Sequence, residues 1–496
     1  METHIREPQN ERHERINMSK FNELREKFDR IIFHTYSVNY EADQIVVQYR
    51  FEIPGLEEFT PRWEFPFARN FNPKVKIVDM TVPPEEEARE VIEVLCFHLG
   101  MVELISYYKI TCPKLIEVRA GNLTKEQAAW WKKLYYNGLG EFMYRNGISV
   151  SEEELFSFTE NSLVKTIGQE TGVSMLERKI YSTRLFDGRV IHDPGTYEGC
   201  LIPVGGGKDS VVTMELLRDE KVVTYHINEI DSVMKVIALY DAKQYDYCAK
   251  RVLDKRMIDL NAKGYLNGHT PFSAIVAFSS FIVAIITGKR FIPLSNETSA
   301  NESTVQGSFV NHQYSKTYEF ELDFTNYIRS VTDSDILYFS FLRPLAEIQI
   351  ARIFSRQTKY LKTFRSCNVG SKKGIWCADC PKCLFVYIIL TPFLPEEQLV
   401  KIFGEKLLDK ESLDKDFREL IGIDENKPFE CVGTRSEVGA AMKYYVERGG
   451  QSLLTDRYQS EILACQDSLD DMLDSWVNDN QVPLTYATRL QEALEW

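Results

Sequence analysis

The chain has 496 residues, 44% of them hydrophobic and 27% charged, with a formal net charge of −14. That length exceeds what one ordinary core supports, so two or three domains are expected. The acidic balance provides no whole-molecule attraction to nucleic acid, and ten cysteines in a chain this long exclude a disulfide scaffold.

Residues 1–20 are dense in charge and lack an apolar stretch, so they read as a disordered leader and not a signal peptide, with Met18 as a possible alternative start. Ile31–Tyr36 and Gln44–Phe51 alternate as strands do. Helical periodicity follows in Glu85–Tyr108 and Thr124–Asn146, with a short strand at Lys114–Arg119 between them. Together these predict an N-terminal α+β domain over residues 21–190.

From Gly199 the pattern becomes strand (Cys200–Val204), glycine loop, helix (Lys208–Arg218) and strand (Lys221–Ile227). The longest apolar run, Phe272–Gly288, falls short of the ~20 residues that span a bilayer and carries three serines. It reads as a buried helix, so a cytoplasmic protein without membrane insertion is expected. Strands at Arg290–Leu294 and Ile336–Phe341 complete the alternation, which predicts a parallel sheet with helices on both faces over residues 191–395. Beyond Pro392 and Pro395 the chain is polar, acidic and helical to its end, a C-terminal region over 396–496.

The run Gly205-Gly206-Gly207-Lys208-Asp209-Ser210 sits between a strand and a helix. Glycines admit positive φ and close approach, and the free N–H groups of a helix's first turn bind anions. The P-loop pattern fails because Asp209 follows the lysine, and no frame of G-x-G-x-x-G fits. The hexapeptide resembles the S-G-G-x-D-S loop of PP-loop ATP pyrophosphatases, with Gly205 in place of the leading serine. That resemblance implies ATP as the ligand, cleaved to AMP and pyrophosphate.

Cys367, Cys377, Cys380 and Cys383 follow the spacing C-x9-C-x2-C-x2-C, which suits a four-thiolate structural zinc site; an iron–sulfur cluster uses the same ligand count. Seven basic residues uninterrupted by an acid (Arg352, Arg356, Lys359, Lys362, Arg365, Lys372 and Lys373) suit a diphosphate or a solvated helix face. A polar stretch at 294–302 follows a buried strand, where open α/β sheets bind ligands. His312, Lys316 and Glu319 would share a face at i, i+4 and i, i+7 if that segment is helical.

Together with His192–Gly195, Ser295-Asn296-Glu297, Ser299-Ala300-Asn301, Asn311–Lys316, Trp376–Cys383 and Pro428–Gly433, these motifs resemble one family within the PP-loop group. That family is the ATP-dependent UDP-N-acetylmuramoyl-L-alanyl-L-glutamate epimerases of peptidoglycan synthesis; the resemblance spans roughly residues 190–435. It implies ATP, Mg²⁺ and a UDP-sugar dipeptide as ligands, and as functional partner a ligase that adds L-Glu to UDP-MurNAc-L-Ala. Gly205–Ser210 would bind phosphates, with Asp209 near Mg²⁺ and His226 or Asn228 near adenosine. Asn296, Asn301, Arg343, Arg352 and Arg356 are candidates for substrate binding. For acid/base work the order is His312, Lys316 and Glu319, then Glu297 and Cys431. Two other readings remain: a PP-loop enzyme acting on RNA or a deazapurine carboxylate, and a nucleotide-binding module without turnover.

Overall fold

The computed structural model describes residues 9–67, 86–164, 188, 190–240, 245–305, 310–367, 369–370 and 373–495; residues 1–8 and Lys372 of the basic run lie outside the described residues. A helix covers Gln9–Lys27, so residues 9–20 of the expected leader are helical. Phe21 and Leu24 on its later turns are buried, which gives the segment an apolar stripe to dock.

Among the described residues, eleven strands form one sheet. In chain order they are β1 (Arg30–Tyr40), β2 (Gln44–Ile53), β3 (Glu57–Phe59), β4 (Arg62–Pro66), β5 (Leu115–Val118), β6 (Ser157–Phe158), β7 (Cys200–Pro203), β8 (Val222–Ile227), β9 (Tyr245–Val252), β10 (Phe291–Leu294) and β11 (Leu337–Ser340). The spatial order is β11-β10-β7-β8-β9-β4-β2-β1-β5-β6, with β3 on β2. From β11 to β9 every pairing is parallel. β9 then meets β4 antiparallel, and β4–β2 and β2–β1 are antiparallel as well. The sheet is therefore mixed, a correction to the parallel sheet expected: β9 does not end the sheet but takes on the N-terminal strands as its continuation.

Buried charge locks that junction. Glu103, on the helix Glu86–Tyr108, accepts from Arg251 Nε at 2.8 Å and Arg251 Nη2 at 2.9 Å, and from Trp63 Nε1 at 3.3 Å. Trp63 and Arg251 face each other across β4 and β9. A two-pronged guanidinium–carboxylate pair of this kind fixes geometry as well as neutralising charge. The same helix contains the stretch Ala88–Tyr108, long and apolar enough to cross a membrane, but 94% of that window is buried inside the fold.

Alternation along the central strands places helices on both faces. Leu201 packs with one core, together with Val223, Tyr225 and the helix Phe272–Thr287. Its neighbours Cys200 and Ile202 pack with a second core, together with Val211, Val212, Phe354 and Phe385. Cover on both faces is why every position of β8 is buried, Thr224 and His226 included. The expected helix Thr124–Asn146 is two helices: Thr124 caps Lys125–Gly138 through a capping box, and Gly140–Arg145 follows after Leu139. The C-terminal region is largely helical, with its longest members at Arg435–Glu447 and Leu484–Glu495.

Candidate functional site

The glycine loop opens at the carboxyl end of β7, in the middle of the parallel strands. Gly206 adopts φ +80°, and a Cβ there would stand 3.2 Å from the Val233 backbone nitrogen. At Gly207 a Cβ would meet Ser366 Oγ at 2.6 Å. Gly206 also accepts a hydrogen bond from Arg365 N–H at 2.9 Å. The loop is thus held from outside by Arg365-Ser366, the residues that lead into Cys367. Gly205 is exposed, and the space where its Cβ would be is open. Gly207 precedes the helix Lys208–Leu216, whose free N–H groups make the opening suited to an anion.

Lys208 does not point out of the loop. Its buried ammonium donates to Asp209 and to the buried Glu347, at the start of the helix Glu347–Ser355. Burial, joined by nearby Asp209 and Glu297, raises the Glu347 carboxyl above its usual range, although Lys208 pulls the other way. Asp209, with 27% of its side chain exposed, is the member of this set that reaches solvent.

The four cysteines converge. Their sulfurs lie within 4.8 Å of one another, with separations of 3.9 Å (Cys367–Cys380), 3.6 Å (Cys377–Cys383) and 3.5 Å (Cys380–Cys383). A tetrahedron with ~2.3 Å zinc–sulfur bonds has edges of about 3.8 Å, so the thiolates fit one zinc ion with little adjustment. Cys380 also caps the helix Pro381–Leu390, whose Lys382 donates to the backbone carbonyl of Cys431.

A second cluster faces the loop. Lys316 Nζ lies 3.2 Å from Cys431 Sγ, and His312 acts electrostatically on the same thiol. On its Nδ1 side His312 meets Glu141, from the helix Gly140–Arg145. His269 Nδ1 stands 3.4 Å from the same carboxylate, and the two imidazole rings are 4.6 Å apart. Glu141, His269 and His312 each bring one donor atom within 4.8 Å of the others. The segment carrying Cys431 is placed by Phe429, whose ring lies 5.1 Å from that of Tyr144 at a tilt of 33° and under Arg145.

These contacts shift the protonation of the cluster. Burial opposes ionisation of Cys431, but Lys316, His312 and Lys382 outweigh it and hold the thiol at about 5. Burial likewise opposes charge on His312, which Cys431 and Glu141 nonetheless raise to about 9. Burial and the neighbouring His312 hold His269 down at about 4. Between these limits the site contains a thiolate, an imidazolium and a neutral imidazole. Asp209 and Glu297 both act on Lys316, so the cluster and the glycine loop share one electrostatic environment.

Other expected residues are engaged elsewhere. The segment with His312 and Lys316 is not one helix: a 3-10 turn covers Tyr314–Lys316, and Thr317 caps a new helix at Tyr318–Arg329. Glu319 consequently leaves the His312–Lys316 face and pairs with Lys133 at 2.6 Å. Arg343 is fully buried and clasps the backbone carbonyls of Glu297 and Lys316, with Ser340 Oγ at 3.2 Å. It is a bracket for the site's loops, and its position is no open diphosphate subsite. Arg352 donates to the Leu494 carbonyl, while Arg356 is exposed.

His226 Nδ1 faces the Asn228 carbonyl at 2.8 Å and its Nε2 faces Asp246 at 3.0 Å; Asn228 in turn pins Arg251 of β9. Asn296 donates to Ser340 Oγ at 3.1 Å, and Asn301 Oδ1 accepts from Tyr318 N–H at 2.8 Å. Glu297 is buried and caps the 3-10 turn Thr298–Asn301. Sequence reasoning missed Glu141, His269, Glu347 and Lys382. The carboxylates sit on unremarkable helical stretches, and only proximity in three dimensions marks them.

Strongly perturbed titratable groups gathered beside a glycine turn at the carboxyl end of a central strand are the mark of an enzyme site on an α/β fold. Comparison with known proteins says which kind. A family model described as the MurL N-terminal domain matches residues 22–341, and one described as the MurL C-terminal domain matches residues 363–463. The chain belongs to the MurL family. It is 32% identical over 359 residues to the UDP-N-acetyl-alpha-D-muramoyl-L-alanyl-L-glutamate epimerase of Xanthomonas oryzae pv. oryzae, covering 71% of this chain and 74% of that protein. Proteins of the same name from Salinispora tropica and a Micromonospora species are 30% and 31% identical, each over 86% of this chain and 87% and 89% of their own lengths. No solved structure matches the chain.

Proposed function

We propose that this chain is an ATP- and Mg²⁺-dependent isomerase that inverts the terminal L-Glu of UDP-MurNAc-L-Ala-L-Glu to D-Glu in peptidoglycan precursor synthesis. The observation that carries this reading is membership of a family whose relatives bear the epimerase name across most of their length. The glycine loop supplies the chemical rationale. An α-proton beside a free carboxylate is hard to remove because the carbanion would form next to a negative charge. Transfer of AMP to that carboxylate removes the charge and turns the carbonyl into an electron sink, and pyrophosphate leaves.

In this reading the backbone of Gly205–Ser210 receives the phosphates in the manner of a PP-loop. Asp209, the solvent-facing carboxylate of the set, would hold Mg²⁺, which neutralises phosphate charge. Lys208 acts indirectly, by holding Asp209 and Glu347 in place. The four cysteines hold zinc as a structural ion, and His312 and Lys316 belong to the proton-transfer machinery. Hydrolysis of the acyl-adenylate releases AMP and the D-glutamyl product. The substrate would come from a ligase that adds L-Glu to UDP-MurNAc-L-Ala.

The test is incubation of purified protein with ATP, Mg²⁺ and UDP-MurNAc-L-Ala-L-Glu in D₂O. AMP, pyrophosphate and deuterated D-glutamate after acid hydrolysis are the expected products. AMP without inverted glutamate would leave ATP cleavage standing and rule out epimerisation.

A further inference from the structure

Among the groups near the loop, one side chain combines exposure, a nucleophilic atom and a complete supporting shell. Cys431 is half-buried, and two cationic groups favour its thiolate: Lys316, with Nζ 3.2 Å from the sulfur, and His312, itself anchored by Glu141. Its backbone carbonyl is held by Lys382, and Phe429, two residues earlier, is docked against Tyr144 and Arg145. Three segments far apart in sequence, at 141–145, 312–316 and 382, therefore hold the segment that carries this thiol. A buried structural cysteine needs no such framework. A nucleophile or base held by a second group, which a third group orients, is the geometry of an activated side chain.

On the epimerase reading given above, we propose that Cys431 is a catalytic acid/base residue of the inversion, with His312, Glu141 and Lys316 as positioning residues that keep its sulfur ready to take a proton. In the step assigned to it, the Cα–H bond of the adenylated glutamyl residue breaks and an S–H bond forms. The electron pair passes into the adenylate carbonyl as an enolate. A proton from water then adds to the opposite face of the same carbon, the enolate electrons forming the new Cα–H bond. The Cys431 thiol then loses its proton to solvent, which neutralises the hydroxide left by that water and restores the thiolate, while His312 stays protonated beside it. Lys316, placed beside the sulfur and within the field of Asp209, links the thiolate electrostatically to the loop.

Glu319 and Glu297 do not compete for this role: the first is paired with Lys133, and the second is buried as the cap of a 3-10 turn. The charged and titratable groups acting on Cys431 are Lys316, His312 and Lys382, with Glu430 as its chain neighbour. The first three are cations, so they favour the thiolate; burial, which opposes it, is outweighed, and the thiol is held at about 5.

The experiment measures two quantities on the full chain: AMP release, and deuterium entry at the glutamyl α-position from D₂O. Cys431→Ala is expected to lower deuterium entry and D-Glu formation by ~10²–10⁴-fold, the usual range for loss of a general acid/base, while AMP release stays within a few-fold of wild type. Undiminished deuterium entry in Cys431→Ala would overturn the inference and leave the epimerase reading intact. A wild-type chain that releases no AMP with this substrate would overturn both.

If Cys431→Ala loses AMP release as well, alkylation of the wild-type chain decides. Iodoacetamide should modify Cys431 at pH 6 faster than Cys465, and substrate with ATP should prevent it. Slow or unprotected labelling of Cys431 would count against the proposal. His312→Gln should move the inflection of Cys431 alkylation up towards the ~8.5 of a free thiol, and Glu141→Gln should move it in the same direction. A purely structural role for these residues would leave that profile in place.

Discussion

Two adjacent glycines in the loop make opposite predictions. Gly206 is left-handed, and a Cβ there would press on the Val233 backbone at 3.2 Å, which cannot yield as a side-chain tip would. Gly206→Ala is expected to cost about 1–3 kcal/mol in urea unfolding and to abolish pyrophosphate release. Gly205 has open space in front of it. Gly205→Ser, which restores the serine of the PP-loop pattern, should leave stability within about 0.5 kcal/mol and ATP cleavage intact. His226 has acceptors on both ring nitrogens, which only an imidazolium satisfies. Burial opposes its charge, but Asp246 and Cys248 raise it to about 10. Its contribution to stability is therefore fully present below pH ~6.5 and is lost as pH rises through about 10. The melting-temperature gap between wild type and His226→Gln should be largest at pH 6 and shrink towards pH 10; a constant gap would exclude a charged His226. At this scale the placement of the glycine turn between strand and helix and the convergence of the four cysteines were legible because each lies in short, contiguous spacing. Glu141 and His269 were not, because each acquires meaning only from His312, more than forty positions away.

A buried ion pair ties β4 and β9 to the helix Glu86–Tyr108. Glu103 is completely buried and accepts both prongs of Arg251. Glu103→Gln leaves that guanidinium without its counter-charge and is expected to cost about 3–5 kcal/mol by denaturant unfolding. The four-cysteine site joins two other elements. Arg365-Ser366 on one side of it press on the glycine loop, and Lys382 on the other side holds Cys431. Cys380→Ser should lower zinc from about one ion per chain and depress both AMP release and α-proton exchange, read by metal analysis and the two assays. Loss of zinc with both activities unchanged would show that the links do not carry strain. Strands in the central parallel block were readable from continuous apolar runs. β9 was not: Tyr-Asp-Tyr-Cys-Ala-Lys-Arg-Val is too polar to announce a strand that sits mid-sheet. The break at Thr317 was also hidden, because a capping threonine inside a periodic stretch looks like any other polar residue.

On the scale of the whole molecule, the candidate site belongs to no single stretch of chain. Glu141 comes from the N-terminal third, the glycine loop from the middle strands, and Cys431 from the helical end. Helices on both faces were legible from the alternation of β and α signals, but the mixed sheet was not, because antiparallel continuation across β9 leaves no local mark. A chain truncated before residue 191 would lose the strands that cover β9 and expose its edge. Such a fragment is expected to aggregate where the full chain remains dispersed, as light scattering of the two would show.

The pairing of β4 with β9 also sets a schedule. Arg62 and Val252 face each other across roughly 190 positions of sequence. At the ~5–20 residues per second of synthesis, β4 leaves the ribosome on the order of 10–40 s before its partner exists. During that interval Trp63 lacks its strand neighbour and Glu103 lacks its guanidinium. A nascent chain with an open strand edge and an apolar helix of membrane-spanning length is a natural client for chaperones, and its yield should depend on them more than its finished stability suggests.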